Sequence, residues 1–490
     1  MTDQLRADCI GGNGNTIIQT PNMDRLAARS ANFSQAFVQS PVCTPSRACF
    51  FTGRYAHSHR NRVNYTLLDD REALLPARLQ DVGYRTALVG KLHLDYQYPP
   101  TADEAKRIGF DIAERHDGVS FTDEWSDYVT WRNKHDPLKD IHYRKTARSV
   151  ERLRDSLPSG ANPYRAAIDA QYTDTAWTGK RTRHWLQKLA GDDQPFFLFS
   201  SFWKPHGPFE VPEPFDSMYN GVDIPLPEPV TLEDIQRLPL PVQKLALRNP
   251  KPPYDMNREQ LQWIYRSYYG AISHIDREVG LILDTLEETG QADNTIIVFT
   301  SDHGDQLLEH GIMGKNVFFE SSVRVPLMLS YPGKISGRQY DDLVESVDVL
   351  PTLFDLCNLP EPYNNQGISL APLVSAGGAQ VTPHEAVFSE NIIPEVITGH
   401  SVQCPYEKGT GVLGIQHPDA KMVRTKRWKY NHYPEHGGEL YDLQNDPREE
   451  INLYDDPQHA IVLEDLKEQM LNWLITASET DQIARRWLIP

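Results

Sequence analysis

Three features of the sequence predict an α/β fold: a large, mainly parallel sheet sandwiched by helices, with a smaller C-terminal α+β subdomain built on an antiparallel sheet. Strand-length runs such as "PFFLFSSFW", "TIIVFT" and "VPLMLSYPG" are almost continuously apolar, as strands covered on both faces are. Segments with helical spacing separate these runs, which is the pattern of a parallel sheet with crossover helices. From about residue 376 the pattern changes to alternating segments followed by a final helix. At 490 residues the chain is too long for one ordinary core, so we divide it into a larger α/β domain, 1–375, and a smaller subdomain, 376–490.

Each element has its own justification. "TPNMDRLAARS" (20–30) reads as a short helix, with Thr20 as cap, Pro21 in the first turn, and Met23, Leu26 and Ala27 on one face. "LLPARLQDVG" reads as a helix stopped at Gly83, and the strand "RTALVGK" follows it. Residues 95–190 are polar, irregular and spotted with aromatics, and read as an insertion near the site. "PFFLFSSFW" (195–203) is a buried strand. Across 258–290, Leu261, Ile264, Tyr268, Ile272, Ile275, Val279 and Ile282 recur at helical spacing, giving one long amphipathic helix that ends at Gly290. "NTIIVFTSDHG" is a strand opening into a loop, and "VPLMLSYPG" is a further strand. "MVRTKRWKYNHY" alternates as an exposed strand. "ELYDLQNDPREEINLYDDP" follows it, and the last helix starts near residue 458.

The bulk composition excludes several classes. With 39% hydrophobic and 10% aromatic residues the chain is packed, not disordered. No run approaches the ~18 apolar residues of a membrane span. "MTDQLRADC" has neither a basic n-region nor an apolar h-region, so the sequence as written carries no signal peptide and reads as cytoplasmic. A signal peptide further upstream would make the protein periplasmic or secreted. The five cysteines (9, 43, 49, 357, 404) are irregularly spaced with no CxxC, although Cys43 and Cys49 could pair across a turn. A net charge of −18 argues against a nucleic-acid partner. An anionic substrate would need positive charge gathered in a pocket.

Open α/β sheets bind ligands beyond the carboxyl ends of their strands. "GKLH" follows "RTALV", "KPHGPF" follows "PFFLFSSFW", and "SDHGD" follows "TIIVFT", so the three groups should converge on one rim. Asp302 and His303, with Asp3 and Gln4 of "TDQ", form an oxygen-rich set with one imidazole. Such a set suits one hard or borderline divalent cation, calcium first, with magnesium or manganese as alternatives. Lys91 and His93 fall on one face of an extended segment. His206 sits in a proline-bracketed turn behind Lys204, and Lys315 lies in "HGIMGK". Singly, each has an ordinary reading as a solvated lysine or a locally bonded histidine; their joint placement argues for a site. Cys43, in "SPVCTPSRACFFTGRY", remains open between buried small hydrophobe, disulfide half, metal ligand and nucleophile.

"CTPSRACFFTGRY" resembles the signature of the type I sulfatases of the alkaline phosphatase superfamily, C-x-P-S-R followed by x-x-x-x-T-G, with Cys43, Pro45, Ser46, Arg47, Thr52 and Gly53 matching. "TPNMDRLA", "GYRTALVGKLH", "KPHGPF", "TSDHGDQLLEHGIMGK", "RVPLMLSYPG" and "ELYDLQNDPREEINLY" are similar to further landmarks of that family, in the same order and over nearly the whole chain. The resemblance implies that a maturation enzyme oxidises Cys43 to Cα-formylglycine, whose hydrate is the nucleophile. It implies that Asp3, Gln4, Asp302 and His303 hold the metal and that Arg47 supports the diol. Lys91, His206 and Lys315 would embrace the sulfate, His93 would handle the diol proton, and His206 would protonate the leaving oxygen. The expected activity is hydrolysis of a sulfate monoester, a sulfated saccharide or an aryl sulfate.

Two departures accompany the resemblance. The family pattern has an apolar strand ahead of the "TDQ" segment, and here the sequence starts at Met1. Gln4 stands where an acid is often found, which lowers the ligand charge by one. Two rival readings stay in view: a phosphonate monoester or phosphodiester hydrolase of the same superfamily, and an inactive glycan-binding protein. "HYRKTARSVERLRD" (142–155) is the densest basic segment. It reads either as a solvated helix face or as an anion-capturing rim, so Arg148 and Arg152 join Lys204 as candidate substrate contacts.

Overall fold

The computed structural model describes residues 1–64, 68–69, 72–94, 102–118, 125–138, 164–247, 255–375, 383–392 and 419–477. The chain opens with a two-residue strand β1 (Thr2–Asp3), helix α1 (Pro21–Ala28), strand β2 (Ala31–Phe37) and the wholly buried helix α2 (Cys43–Thr52). Helix α3 (Leu75–Asp81) leads into β3 (Arg85–Gly90), and β4 (Ile112–Arg115) follows. Helix α4 (Asp174–Leu189) precedes β5 (Phe196–Pro205), and α5 (Arg258–Glu288) precedes β6 (Ile297–Thr300). Then come β7 (Arg324–Ser330), β8 (Arg338–Glu345) and α6 (Val349–Leu356). The C-terminal region holds β9 (Ala386–Ile392), β10 (Asp419–Thr425), β11 (Trp428–Tyr433), β12 (Gly437–Asp442) and α7 (Ala460–Ala477).

One sheet runs β1-β5-β3-β4, all parallel; a second runs β8-β2-β7-β6. In the second, β8 is parallel to β2, while β7 is antiparallel to both β2 and β6. A parallel bridge from Thr2 to Ser301 joins the two sheets at β1. The apolar runs of the sequence are these strands: Leu88, Phe199, Leu327 and Leu329 are buried in one cluster, and Phe202, Phe299 and Met328 in the other. Helix α5 is the long helix that the spacing predicts, capped by Asn257 and Gln260 and burying Ile264, Tyr268, Ile272 and Ile275.

Two readings are corrected. The span 95–190 contains β4, which pairs with β3, and α4, which packs against β5, so part of it is sheet architecture. Within it, β4 is a half-buried strand at the edge of the sheet. "MVRTKRWKYNHY" is not one exposed strand but the buried hairpin β10–β11 in the antiparallel sheet β9-β10-β11-β12. Val423 and Tyr430 pack under α7, while Met422 and Tyr433 face the other way, toward Phe37 and Phe318. Lys429 of the hairpin is buried and paired: its Nζ bonds Glu449 at 2.7 Å and Glu320 at 2.8 Å. Among the described residues no helix is long and apolar enough to cross a membrane.

Candidate active site

The strand ends bring the site together. Asp3 ends β1 and Gln4 follows it, Lys91 follows β3, His206 follows β5, and Asp302 and His303 follow β6. The approach is close: a Cβ on Gly90, whose φ is +97°, would lie 2.0 Å from the Ser201 carbonyl oxygen. Cys43 enters from the first turn of α2. It and Cys49 are free thiols on one continuous helix, so the pairing across a turn does not form.

Cys43 Sγ lies 3.2 Å from His303 Nε2, 3.9 Å from Asp3 Oδ1 and 2.9 Å from Lys315 Nζ. Its side chain also bonds His93, whose main chain is held at φ +53°. Burial and Asp3 push the thiol up; Lys315, Lys91 and His303 outweigh them and leave it well below its ordinary value. Lys315 Nζ also donates to Gln4 Oε1 at 2.8 Å. Lys91 is ion-paired with Asp3. Burial works against the Asp3 carboxylate, but Lys91, His206, Lys315 and His303 hold its pKa well below the usual range.

Asp302 receives the Arg47 Nε–H at 2.8 Å and the Gln4 backbone N–H at 3.1 Å. Arg47 is fully buried; its Nη1 donates to the Lys91 carbonyl and to Ser201 Oγ, both at 3.0 Å. Its Nη2 is buried with no hydrogen-bond partner among the described residues. His206 Nδ1 lies 2.6 Å from the Gly207 carbonyl, and burial, then Lys315, draws its pKa down to about 3. Lys204 is different. Its ammonium turns to the carbonyls of Pro208 at 2.6 Å and His206 at 3.4 Å, both within its own turn. Arg148 and Arg152 lie outside the described residues.

Three supporting residues escaped the sequence reading. Asp305 accepts from Gln4 Nε2 and from the backbone N–H groups of Leu307 and Gly314. Asp117 accepts from the N–H groups of Leu92 and His93. Ser201 Oγ holds Arg47. Asp305 lay inside the quoted "SDHGD"; the other two carry no local signal.

The donor set fits one divalent cation. Ligand atoms of Asp3, Asp302, His303 and Cys43 all lie within 4.8 Å of one another and are buried. His303 Nδ1 is engaged with the Gly304 carbonyl at 2.9 Å, which leaves Nε2 facing Asp3 and Asp302, each 3.6 Å away. Residues 1–359 match the family model described as sulfatase. The chain belongs to the sulfatase family. Residues 416–475 match a second model, the C-terminal region of N-sulphoglucosamine sulphohydrolase. This sulfatase is 28% identical to an arylsulfatase of Clostridium perfringens, over 97% of this chain and 93% of the relative. It is also 28% identical to a choline-sulfatase of Rhizobium meliloti, over 100% of this chain and 89% of the relative. Its structure resembles the phosphonate monoester hydrolase of Agrobacterium radiobacter, with TM-score 0.79 and 27% identity, covering 97% of this chain and 94% of the other. The protein is a hydrolase of sulfate esters with a mixed α/β fold and a separate antiparallel C-terminal sheet.

Proposed function

We propose that this sulfatase releases inorganic sulfate from a sulfated carbohydrate, using Cα-formylglycine generated from Cys43 by a maturation enzyme, with calcium as its divalent ion. The carrying observation is the position of Cys43, at the centre of a cationic and metal-ligand cluster in an acidic chain. The unpartnered Arg47 Nη2 supports the reading as well, because a hydrated aldehyde adds an oxygen that a thiol lacks. The hydrate supplies one hydroxyl to attack sulfur and a second to expel the sulfate. The bound cation supplies Lewis-acid polarisation of the reacting oxygens.

The chain's own residues do the rest. Asp3, Gln4, Asp302 and His303 hold the ion, and Arg47 fixes Asp302. Lys315, 2.9 Å from Cys43 Sγ, and Lys91, paired with Asp3 beside it, offset the developing negative charge. His93, bonded to the Cys43 side chain, takes the proton of the attacking hydroxyl. His206 is neutral in the free protein; a bound sulfate brings the negative charge that raises its pKa and lets it protonate the leaving oxygen. Arg47, Lys91 and Lys315 explain how a chain of net charge −18 accepts an anion. We further propose Arg148 and Arg152 as the outer contacts of a polyanionic saccharide.

The test is a mass measurement beside a substrate panel. The matured Cys43 peptide is expected about 18 Da lighter than the thiol form, and turnover should concentrate on sulfated saccharides. An unmodified Cys43 in fully active protein would overturn the mechanism. A phosphonate monoester or phosphodiester activity is the second reading, favoured by the likeness to the Agrobacterium enzyme. Parallel rates on a phosphonate ester and a sulfate ester separate the two. Glycan binding without any turnover would instead mark an inactive binding protein.

A further inference from the structure

Lys204 is the second-last residue of β5, is 4% exposed, and precedes His206 by two positions. Its ammonium lies 4.1 Å from the centre of the Trp203 ring and beside a cavity of about 50 Å³. Asp174, Glu210, His116 and His274 line that cavity too. Burial lowers the Lys204 pKa from its ordinary value, and the carboxylates of Asp174 and then Glu210 are the charges that most oppose that shift. Lys204 is therefore the cation of its own aromatic and acidic box, and no hydrogen bond links it to Cys43 or to the metal-ligand cluster among the described residues.

The carbonyls of the turn alternate in direction. Those of His206 and Pro208 face Lys204 at 3.4 and 2.6 Å. The carbonyl between them, on Gly207, faces His206 Nδ1 at 2.6 Å. The His206 ring also stacks on Trp203, 5.7 Å between centroids and 26° between planes. A carbonyl accepts a proton only from the protonated ring nitrogen, so this contact fixes the Nδ1–H tautomer and leaves Nε2 as the free ring atom. Remove the ammonium and the two outer carbonyls lose the donor that holds the middle one in place.

We propose that Lys204 is a positioning residue for His206: it clamps the turn 206–208, and through the Gly207 carbonyl it sets the tautomer and the plane of the imidazole. This rests on the reading that His206 protonates the leaving oxygen.

The test is a double-mutant cycle on the matured full-length chain, with a small aryl sulfate as substrate. Lys204→Met is expected to lower kcat at least about tenfold, the scale of a misplaced proton donor, with KM within about twofold. Lys204→Gln retains an N–H donor for the carbonyls and keeps the box polar, and it should recover most of that loss. Lys204→Met combined with His206→Ala should be no slower than His206→Ala alone. Losses that multiply in the double variant, or a raised KM at unchanged kcat, would overturn the proposal and make Lys204 an independent or substrate-binding group. Nitrogen NMR of His206 reads the tautomer without turnover. The wild type should show Nδ1–H alone, and Lys204→Gln should stay closer to it than Lys204→Met. An unchanged tautomer in Lys204→Met would overturn the proposal even if that variant is unstable in assay. Inactivity of the wild type on sulfate esters would overturn the functional reading while leaving this spectroscopic test intact.

Discussion

Asp302 performs two tasks that substitution separates. One oxygen accepts the Gln4 backbone N–H, and the other holds Arg47, which is wholly inaccessible to solvent. Breaking a buried ion pair from one side costs about 3–5 kcal/mol, because the remaining charge is left alone. Asp302→Ala is therefore expected to lose metal and activity and also to melt clearly lower, since Arg47 keeps its charge in the core. Asp302→Asn retains volume and an acceptor for Arg47; it should lose metal and activity with a smaller thermal penalty. Calorimetry with elemental analysis checks both, and equal melting points for the two variants would refute the assignment of the cost. The sequence showed Asp302, His303, Lys91 and His206 because strand ends can be located from apolar runs. Asp117 was hidden, since it acts by accepting backbone N–H groups of residues 92 and 93 far away in sequence. The direction of the Lys204 ammonium was hidden too, because no spacing rule says which way a lysine in a turn will face.

At the scale of elements, α5 was legible because its apolar face repeats over 31 residues, whereas the β10–β11 hairpin was not. Its turn, Thr425 to Trp428, contains no glycine, proline or asparagine, the usual signals. Thr425 closes it instead, its hydroxyl accepting the Trp428 N–H at 2.9 Å and donating to the Trp428 carbonyl at 3.2 Å. The antiparallel sheet is tied to the body by a further buried network. His384 Nε2 meets Asp348 at 2.9 Å, and Asp348 and Glu345 share the cluster with the Tyr55 hydroxyl. Although burial opposes it, Asp348 raises the His384 pKa to about 9, and burial raises that of Glu345 to about 7. A histidine with a raised folded pKa contributes stability that is full below about 6.5 and lost as pH rises through 9. The raised Glu345 acts in the same direction between about 4.5 and 7, since the folded form holds the proton longer. His384→Gln is thus expected to melt a few degrees below wild type at pH 6, with the gap closing by pH 9.5. A gap that is constant with pH would show that the His384–Asp348 pair carries no such linkage.

At the scale of the whole molecule, the two sheets of the larger α/β region are bridged by β1, which is two residues long. Upstream of Thr2, strands β5 and β6 face each other across a cleft of about 670 Å³ lined by Phe197, Phe199, Val298 and Phe299. The Met1 nitrogen lies beside it and donates to the Ser200 carbonyl at 2.8 Å. An apolar, β-branched segment of about five residues placed directly ahead of Met1 would extend β1 between β5 and β6, satisfy both strand edges and cover the cleft. A chain carrying that segment is expected to melt higher than the 490-residue chain, because strand pairing and apolar burial are added. Melting curves of the two proteins decide it, and no gain would show that the cleft does not accept a strand.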